Sequence, residues 1–226
     1  MRRLNWDSDF FNLEVGEIGN EDDLKKGNYS DFDLLYVKTN EPIKLLGFRL
    51  NYEENKVVFE KCLITFVEES ADIKQLSKTK YNIDQIYDLA YESGKYSRFR
   101  KDSLFGEINF KKLYKEWVDN SITKKFADDI LLFVIKGKAV GFVTYKKHED
   151  YGQIGLIAVE KEHQGKGFGR QLINKVENAL YQEGIKKLRI PTQLENTEAC
   201  FFYKKNGYVI IENTPIKHYW KINDTI

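Results

Sequence analysis

A glycine-rich segment, EHQGKGFGRQLI at residues 162–173, carries the clearest chemical pattern in the sequence. Glycine allows bends that other residues resist, and it allows a ligand to approach the backbone closely. Several backbone N–H groups of residues 164–170 can converge on one anion here, where a helix dipole adds roughly half a positive charge. Lys166 and Arg170 add full charges. The segment predicts a phosphate-binding turn; the alternative is a structural strand-to-helix turn with solvated basic side chains.

The spacing of the glycines distinguishes the phosphate ligands that such a turn could take. A dinucleotide fingerprint requires G-x-G-x-x-G, but Arg170 stands where the third glycine would follow Gly165 and Gly167. A nucleoside triphosphate loop requires lysine after its last glycine, and Gly167 is followed by phenylalanine. The pattern that fits is Q-x-x-G-x-G, formed by Gln164, Gly167 and Gly169.

This segment resembles the pyrophosphate-binding motif of the GCN5-related N-acetyltransferases, the GNAT superfamily. The preceding strand, IGLIAV, stands where that family places its central strand. A second stretch, NTEACFFYKKNGY at residues 196–208, matches the family pattern N-x-x-A-x-x-[FL]-Y-x-x-x-G-[FY]. The residues in register with that pattern are Asn196, Ala199, Phe202, Tyr203, Gly207 and Tyr208. The resemblance covers roughly residues 82–226.

Two further stretches, LNWDSDFFNLEVGEI and LAYESGKYSRFRKD, resemble segments of the TDP-fucosamine acetyltransferases of bacterial surface-glycan synthesis. Those enzymes acetylate the 4-amino group of a dTDP-linked dideoxyhexose and carry an extra N-terminal domain. The resemblance implies a small β-rich α/β accessory domain at residues 1–80 and an acetyltransferase domain at residues 81–226. A single mixed domain with an N-terminal extension is the alternative. Residues 1–80 could bind substrate, form a homodimer interface or cap the sheet.

The GNAT resemblance implies a mixed α/β fold, with a splayed, mostly antiparallel mixed sheet flanked by helices, and acetyl-CoA as acetyl donor without a metal. The strand over 156–159 would splay from the next strand and pair with the pantetheine arm. An N–H near Ala158 or Val159 would then donate to the acetyl oxygen, an interaction worth roughly 3–4 kcal/mol in comparable reactions. The residues implied to bind the cofactor are Leu156, Ile157, Ala158, Val159, Gln164, Gly165, Lys166, Gly167, Phe168, Gly169, Arg170, Asn196, Ala199 and Phe202.

Acetyl transfer to an amine passes through a tetrahedral intermediate and expels a thiolate that needs a proton. Tyr203 is the predicted acid, because the resemblance places an acid there and a phenol with a pKa near ~10 holds its proton at neutral pH; the alternative is a core tyrosine. Asn196 either hydrogen-bonds the pantetheine or caps the helix. The general base stays open between bulk water and the side chains of His148, His163, His218, Glu60, Glu149 and Asp150.

The loop GKYSRFRKDS at residues 94–103 is the predicted acceptor-binding segment, because the family topology places this loop beside the acceptor. Arg98 and Arg100 could pair with a nucleotide diphosphate, and Tyr96 or Phe99 could stack on a base or sugar. If the loop is extended, Tyr96, Arg98 and Arg100 lie on one face of it. Ser97 and Phe99 then lie on the opposite face. A solvated basic loop with one anchoring aromatic is the alternative.

Hydrophobic periodicity places these motifs on a sequence of helices and strands. Helices are predicted over 82–93, around 110–118, and over 168–180 and 195–206. Strands are predicted at 33–39, 56–68, 130–135, 139–148, 151–160, 186–192, 207–213 and 216–223. The strands at 130–135 and 139–148 form a hairpin about a glycine-containing turn.

The overall charge excludes a protein that binds nucleic acid through a general basic surface. The 226 residues include 36 Lys and Arg against 35 Asp and Glu, a net charge of +1. The N-terminus lacks the apolar core of a signal peptide, and no stretch has the ~18 apolar residues of a membrane span. Cys62 and Cys200 form no disulfide framework and are predicted to be buried. We therefore expect a cytoplasmic protein.

Together these observations predict an acetyl-CoA-dependent N-acetyltransferase that acts on the amine of a nucleotide-linked amino sugar. One alternative is a GNAT enzyme for another amine, such as a peptide N-terminus, an antibiotic or a small metabolite. The other is a module of the same fold that senses acyl-CoA without catalysis. The intact glycine motif and Tyr203 argue against the last alternative.

Overall fold

The computed structural model of this chain describes residues 1–19, 23, 29–64 and 72–222. Within those residues the helices are α1 (Asn5–Phe11), α2 (Ile83–Ser93), α3 (Arg98–Lys101), α4 (Gly106–Ile122), α5 (Phe168–Gln182) and α6 (Thr197–Lys205). The strands are β1 (Arg2–Arg3), β2 (Val15–Ile18), β3 (Leu34–Val37), β4 (Phe48–Cys62), β5 (Ile73–Gln75), β6 (Asp129–Ile135), β7 (Lys138–Lys147), β8 (Gly152–Val159), β9 (Lys187–Gln193) and β10 (Val209–Lys221). Residues 65–68 and 223 of two predicted strands lie outside the described residues.

The ten strands formed by the described residues make one sheet in the order β1-β2-β3-β10-β4-β9-β8-β7-β6-β5. Neighbouring strands are antiparallel except for β2 with β3 and β8 with β9. The predicted hairpin of β6 and β7 turns through Lys136 and Gly137, which both have positive φ, at 49° and 80°. Such φ values are typical of two-residue hairpin turns. The mixed, mostly antiparallel sheet with flanking helices confirms the predicted fold class.

Strand β4 joins the first part of the chain to the last. It lies between β9 and β10, so that Lys56 pairs with Gln193 on one side and with Thr214 on the other. Residues 51–56, which composition marks as polar and turn-like, form the middle of this strand. The sheet therefore runs across residue 80, and the domain boundary predicted there stays a prediction.

Strand β10 replaces the two short strands predicted at 207–213 and 216–223. That prediction was wrong because register shifts after Ile210 and His218 bend one continuous strand without ending it. Pro215 is tolerated inside this strand, although proline has no N–H to donate. On the side away from β4, β10 pairs with β3 only over residues 217–220. Pro215 therefore has no partner strand among the described residues on that side and needs no N–H to donate there.

Helices cover both faces of the sheet and bury two large cores. On the first face, helices α2 and α4 pack Ile86, Ala90, Phe110 and Leu113 against the sheet. On the second face, α5 and α6 bury an amphipathic stripe: Leu172, Ile173, Val176, Leu180, Cys200 and Tyr203. None of the described helices is both long and apolar enough to cross a membrane. We call these the α2/α4 face and the α5/α6 face.

The two cysteines differ in exposure, and both are free thiols. Cys200 is buried on the α5/α6 face, as predicted. Cys62 is exposed, so the prediction of burial was wrong for this residue. It is the last residue of β4, where the strand leaves the core.

Candidate active site

The glycine-rich segment forms the turn between β8 and α5, which we call the glycine turn (residues 164–170). Gly165 and Gly167 have φ of +74° and +85°, in the left-handed region that favours glycine. A Cβ added at either position would meet no heavy atom within 4 Å, because both face open space. Gly167 is the N-cap of α5, so the first N–H groups of the helix point towards that space.

Strand β8 diverges from β9 next to this turn. The two strands pair at Gly152 with Leu188 and at Gln153 with Arg189, and the pairing stops there. On its other side β8 stays paired with β7. A register shift opposite Thr144 marks a bulge, and the Thr144 hydroxyl accepts the Leu156 N–H at 2.9 Å. The predicted splay is confirmed, and it opens the edge of β8 over residues 154–159.

A cleft of about 1090 Å³ joins the glycine turn, the splay and the α2/α4 face. Its described lining includes most of the predicted site residues: Arg98, Phe99, Leu156, Ile157, Ala158, Val159, Gln164, Gly165, Gly167, Phe168, Gly169, Arg170, Asn196, Ala199, Phe202 and Tyr203. Three predicted residues are not part of that described lining, namely Tyr96, Arg100 and Lys166. The Lys166 ammonium instead donates to the carbonyl of Glu162 at 2.9 Å, within the turn.

Tyr203 lies on α6 in the wall of the cleft. Its residue surface is 5% exposed, and its ring packs 5.4 Å from the ring of Phe59. Burial raises the pKa of the Tyr203 phenol above its ordinary value, because an apolar environment disfavours the phenolate. The phenol therefore holds its proton throughout the neutral range.

Asn196 and Phe202 place α6 against the glycine turn. The Asn196 side-chain oxygen accepts the Ala199 N–H at 3.3 Å, which is the capping role weighed for this residue. Asn196 also lines the cleft. A Cβ added to Gly169 would lie 3.5 Å from the Phe202 ring, so the two helices approach closely at this point.

The loop that follows α2 is helical where an extended segment was considered. Ser97 caps α3 by accepting the Phe99 N–H, which favours a helical turn over an extended chain. The alternation of side chains expected for an extended loop is therefore wrong. Arg98 stacks over the Tyr36 ring at 4.3 Å and lines the cleft, whereas Arg100 turns away to Glu107.

Two carboxylates at this end of the cleft were not identified from the sequence. Asp7 on α1 and Glu54 on β4 both line the cleft beside Arg98. Burial raises the pKa of Asp7, with the Arg98 charge acting in the opposite direction. Burial raises the pKa of Glu54 to about 7, again opposed by Arg98. Cationic and aromatic side chains complete this end, which we call the acceptor end because the loop predicted to bind the acceptor contributes to it: Trp6, Lys38, Lys56, Lys95, Trp117 and Phe126.

A buried hydrogen-bond network supports the acceptor end from beneath. The Asp102 carboxylate accepts the His218 ring N–H at 2.7 Å, the Trp220 indole N–H at 2.8 Å and the Asn51 amide. Burial opposes ionisation, but these hydrogen bonds lower the pKa of Asp102 overall. Burial, together with the Arg98 charge, lowers the pKa of His218 to about 4. A neutral imidazole thus donates from Nδ1 to an ionised carboxylate.

The six side chains considered as general bases are distributed over the molecule. His163 lies beside the glycine turn, and His218 is bonded to Asp102. Glu60 of β4 pairs with Arg189 of the neighbouring strand β9 at 2.8 Å. The remaining three are exposed around the turn between β7 and β8: His148, Glu149 and Asp150.

The sequence model of the Acetyltransferase (GNAT) family matches residues 83–208, which is more than half of the chain. The chain belongs to the GNAT acetyltransferase family. The glycine turn, β8, α5 and α6 all fall within the matched residues. A solved structure, that of a functionally unknown conserved protein from Staphylococcus epidermidis, matches 99% of this chain and 82% of its own length, with a TM-score of 0.62 at 16% identity. That likeness shows the fold alone.

Sequence relatives differ in what they acetylate. The chain is 26% identical to the dTDP-fucosamine acetyltransferase of Escherichia coli O6:H1 over 182 residues, which cover 80% of this chain and 74% of that protein. It is 25% identical to streptothricin acetyltransferase A of Bacillus subtilis over 122 residues, 54% of this chain and 69% of that protein. It spans less than half the length of two uncharacterized curated relatives, at 42% and 46%.

Proposed function

We propose that this GNAT protein transfers the acetyl group of acetyl-CoA to the amine of a nucleotide-linked amino sugar of the dTDP-4-amino-4,6-dideoxyhexose type. The observation that carries the proposal is the continuity of the cleft, which runs from the glycine turn along β8 to the acceptor end. A cofactor and an acceptor can therefore meet at the splay. The cytoplasmic location expected from the sequence stays a prediction.

The glycine turn would hold the diphosphate of CoA at the start of α5. Backbone N–H groups and the helix dipole favour a dianion there, and Arg170 adds a charge on the same wall of the cleft. The pantetheine arm would then lie along the opened edge of β8. Because the Glu160 N–H bonds to Val140 of β7, the alternation of an antiparallel pair directs the N–H groups of Ile157 and Val159 towards the splay.

The thioester would react where the opened strand meets Tyr203. A backbone N–H of β8 would stabilise the oxyanion of the tetrahedral intermediate. Tyr203 would give its proton to sulfur as the carbon–sulfur bond breaks. Its raised pKa keeps the phenol protonated at neutral pH, so the proton is in place when the thiolate departs.

The acceptor end is suited to a nucleoside diphosphate sugar. Arg98, Lys38 and Lys56 can neutralise a diphosphate. Trp6 and Phe126, whose rings lie 6.4 Å apart, offer apolar faces to a base or sugar. The likeness to dTDP-fucosamine acetyltransferase supports this acceptor.

A second candidate acceptor is a streptothricin-type antibiotic, which the likeness to streptothricin acetyltransferase A favours. Both candidates carry a primary amine, and acetylation of either one releases CoA. The rate of CoA release with each acceptor in turn therefore shows which one the protein uses. Purified protein with acetyl-CoA should release the thiol with a dTDP-4-amino-4,6-dideoxyhexose, and much more slowly with streptothricin or with peptides. Turnover confined to the antibiotic or to peptides would overturn the sugar assignment.

Replacing Gly167 tests whether the glycine turn binds the diphosphate. In Gly167→Ala, the left-handed φ of +85° costs a Cβ-bearing residue about 1–2 kcal/mol. If the turn relaxes to relieve that strain, its N–H groups move, and we expect the calorimetric Kd for acetyl-CoA to rise at least fivefold. Gly184→Ala is the control, since Gly184 has a φ of +83° just beyond the other end of α5. Equal loss of affinity in both variants would contradict the assignment.

A further inference from the structure

The acetyl-transfer mechanism so far lacks a group that takes the proton from the amine. We propose that Glu54 is the general base, accepting the proton of the acceptor amine directly or through one water molecule. This inference rests on the proposed function. It adds a catalytic residue on β4 that lies outside the residues matched by the family model.

The position of Glu54 in the sheet puts its carboxylate on the side from which the acceptor would approach. Glu54 pairs directly with Ile216, and directly opposed residues of an antiparallel pair share a face. Ile216 belongs to the core of the α2/α4 face, together with Leu156 and Ala158 of the opened strand. The carboxylate therefore lines the cleft on the acceptor's side of β8.

Tyr203 lies on the other side of the sheet, in the core of the α5/α6 face. The base must reach the attacking nitrogen, whereas the acid must reach the departing sulfur. In the tetrahedral intermediate, the nitrogen and the sulfur are bonded to the carbon in different directions. The Glu54 carboxylate and the Tyr203 phenol lie on opposite faces of the sheet at β8. One group can therefore reach the nitrogen while the other reaches the sulfur.

The environment of Glu54 makes it a proton acceptor in the neutral range. The residue is 4% exposed, and burial raises its pKa to about 7, close to the optimum for a base working at neutral pH. The charged and titratable groups that face it come from several elements. They are Tyr52 and Lys56 on its own strand, Arg98 on α3, Tyr114 on α4, and Glu195 between β9 and α6.

Tyr52 positions this carboxylate. The Tyr52 hydroxyl donates to Glu54 Oε2 at 3.1 Å and lowers the Glu54 pKa, against the larger effect of burial. This hydrogen bond fixes one oxygen of a carboxylate that belongs to the lining of the cleft. Tyr52 is a positioning residue, because it acts on the reaction only through Glu54.

The step balances in protons and electrons. The nitrogen lone pair forms the new bond to the acetyl carbon, and an N–H proton passes to Glu54. The carbon–sulfur electron pair leaves with sulfur, which takes the phenolic proton of Tyr203. The products are the amide and the CoA thiol, after which Glu54 releases a proton to solvent and Tyr203 regains one.

Glu54→Gln tests the inference in the full-length protein with acetyl-CoA and the acceptor that the wild type uses best. We expect kcat/KM at pH 7 to fall about 100-fold, within the range usual for general bases. The acetyl-CoA Kd should stay within twofold, which shows that the variant is folded. The ionisation with its midpoint near pH 7 should disappear from the acidic limb of the kcat/KM profile, leaving only the ionisation of the acceptor amine. Glu53→Gln is the matched control, because Glu53 is exposed on the opposite side of the same strand.

Tyr52→Phe supplies a second readout that leaves the carboxylate in place. Loss of the hydroxyl removes a hydrogen bond that lowers the Glu54 pKa, so the acidic limb should move to higher pH. A Glu54→Gln enzyme that retains at least half of kcat/KM, or keeps the same acidic limb, would overturn the inference. A wild type that binds acetyl-CoA but acetylates no amine would instead overturn the proposed function.

Discussion

Replacing Tyr203 with phenylalanine is expected to lower kcat at least tenfold while leaving acetyl-CoA binding nearly unchanged. The phenol lies in the wall of the cleft as the proposed proton donor, and its raised pKa keeps it protonated throughout the neutral range. Phenylalanine keeps the ring that packs on Phe59. The measurements are steady-state CoA release for kcat and calorimetry for the acetyl-CoA Kd.

Tyr181→Phe is the control for this experiment, because it removes the same hydroxyl from a tyrosine of α5 that is not part of the cleft's described lining. Its kcat should match the wild type. If Tyr203→Phe turns over at the wild-type rate, Tyr203 is a packing residue and not the acid. A loss in kcat with an equal loss in acetyl-CoA affinity would also contradict the role.

His218 is expected to make folding stability depend on pH between about 6.5 and 4. Burial lowers the His218 pKa from 6.5 to about 4, so the unfolded chain takes up a proton in this window before the folded protein does. Stability due to this group is therefore complete above pH 6.5 and is lost as the pH falls. The shift corresponds to about 3 kcal/mol in unfolding free energy at pH 4.

The effect is measured as the difference between the wild type and His218→Gln in urea unfolding at several pH values. A difference is needed because Glu54, whose pKa is raised, contributes with the opposite sign between its unfolded value of 4.5 and about 7. We expect the stability advantage of the wild type to shrink steadily from pH 6.5 to pH 4. His148→Gln, at an exposed histidine, should run parallel to the wild type. A constant difference across the window would show that His218 is not held neutral.

Local patterns in the sequence predicted much of the cofactor side. The glycines at 165 and 167 predicted the turn, and the structure gives the reason: both have positive φ values, which other residues adopt only at a cost. The apolar stripe of α5 is likewise a local pattern, because its residues recur every three or four positions. The Asn196 cap of α6 is local too, because it depends only on the residues that directly follow it. The assignment of Tyr203 to chemistry came from the family resemblance, and the structure adds that it lies in the cleft wall.

The acceptor side could not be predicted in the same way, because distant parts of the chain build it. Glu54 sits in a polar stretch, NYEENK, that composition assigns to a turn, and its burial depends on pairing with β10 more than 150 residues later. Asp7 reaches the cleft from a helix near the N-terminus. The Asp102–His218 pair joins a loop to the last strand. No local spacing marks such contacts.

Calorimetric titration of the folded protein with acetyl-CoA tests most directly whether the glycine turn and the opened edge of β8 form a cofactor site. We predict saturable binding of one acetyl-CoA per chain, with a Kd on the order of 10 μM, within the usual range for enzyme substrates. Pantetheine, which lacks the diphosphate, should bind far more weakly. A folded protein that takes up no acetyl-CoA, or that binds pantetheine equally well, would contradict the role of residues 164–170.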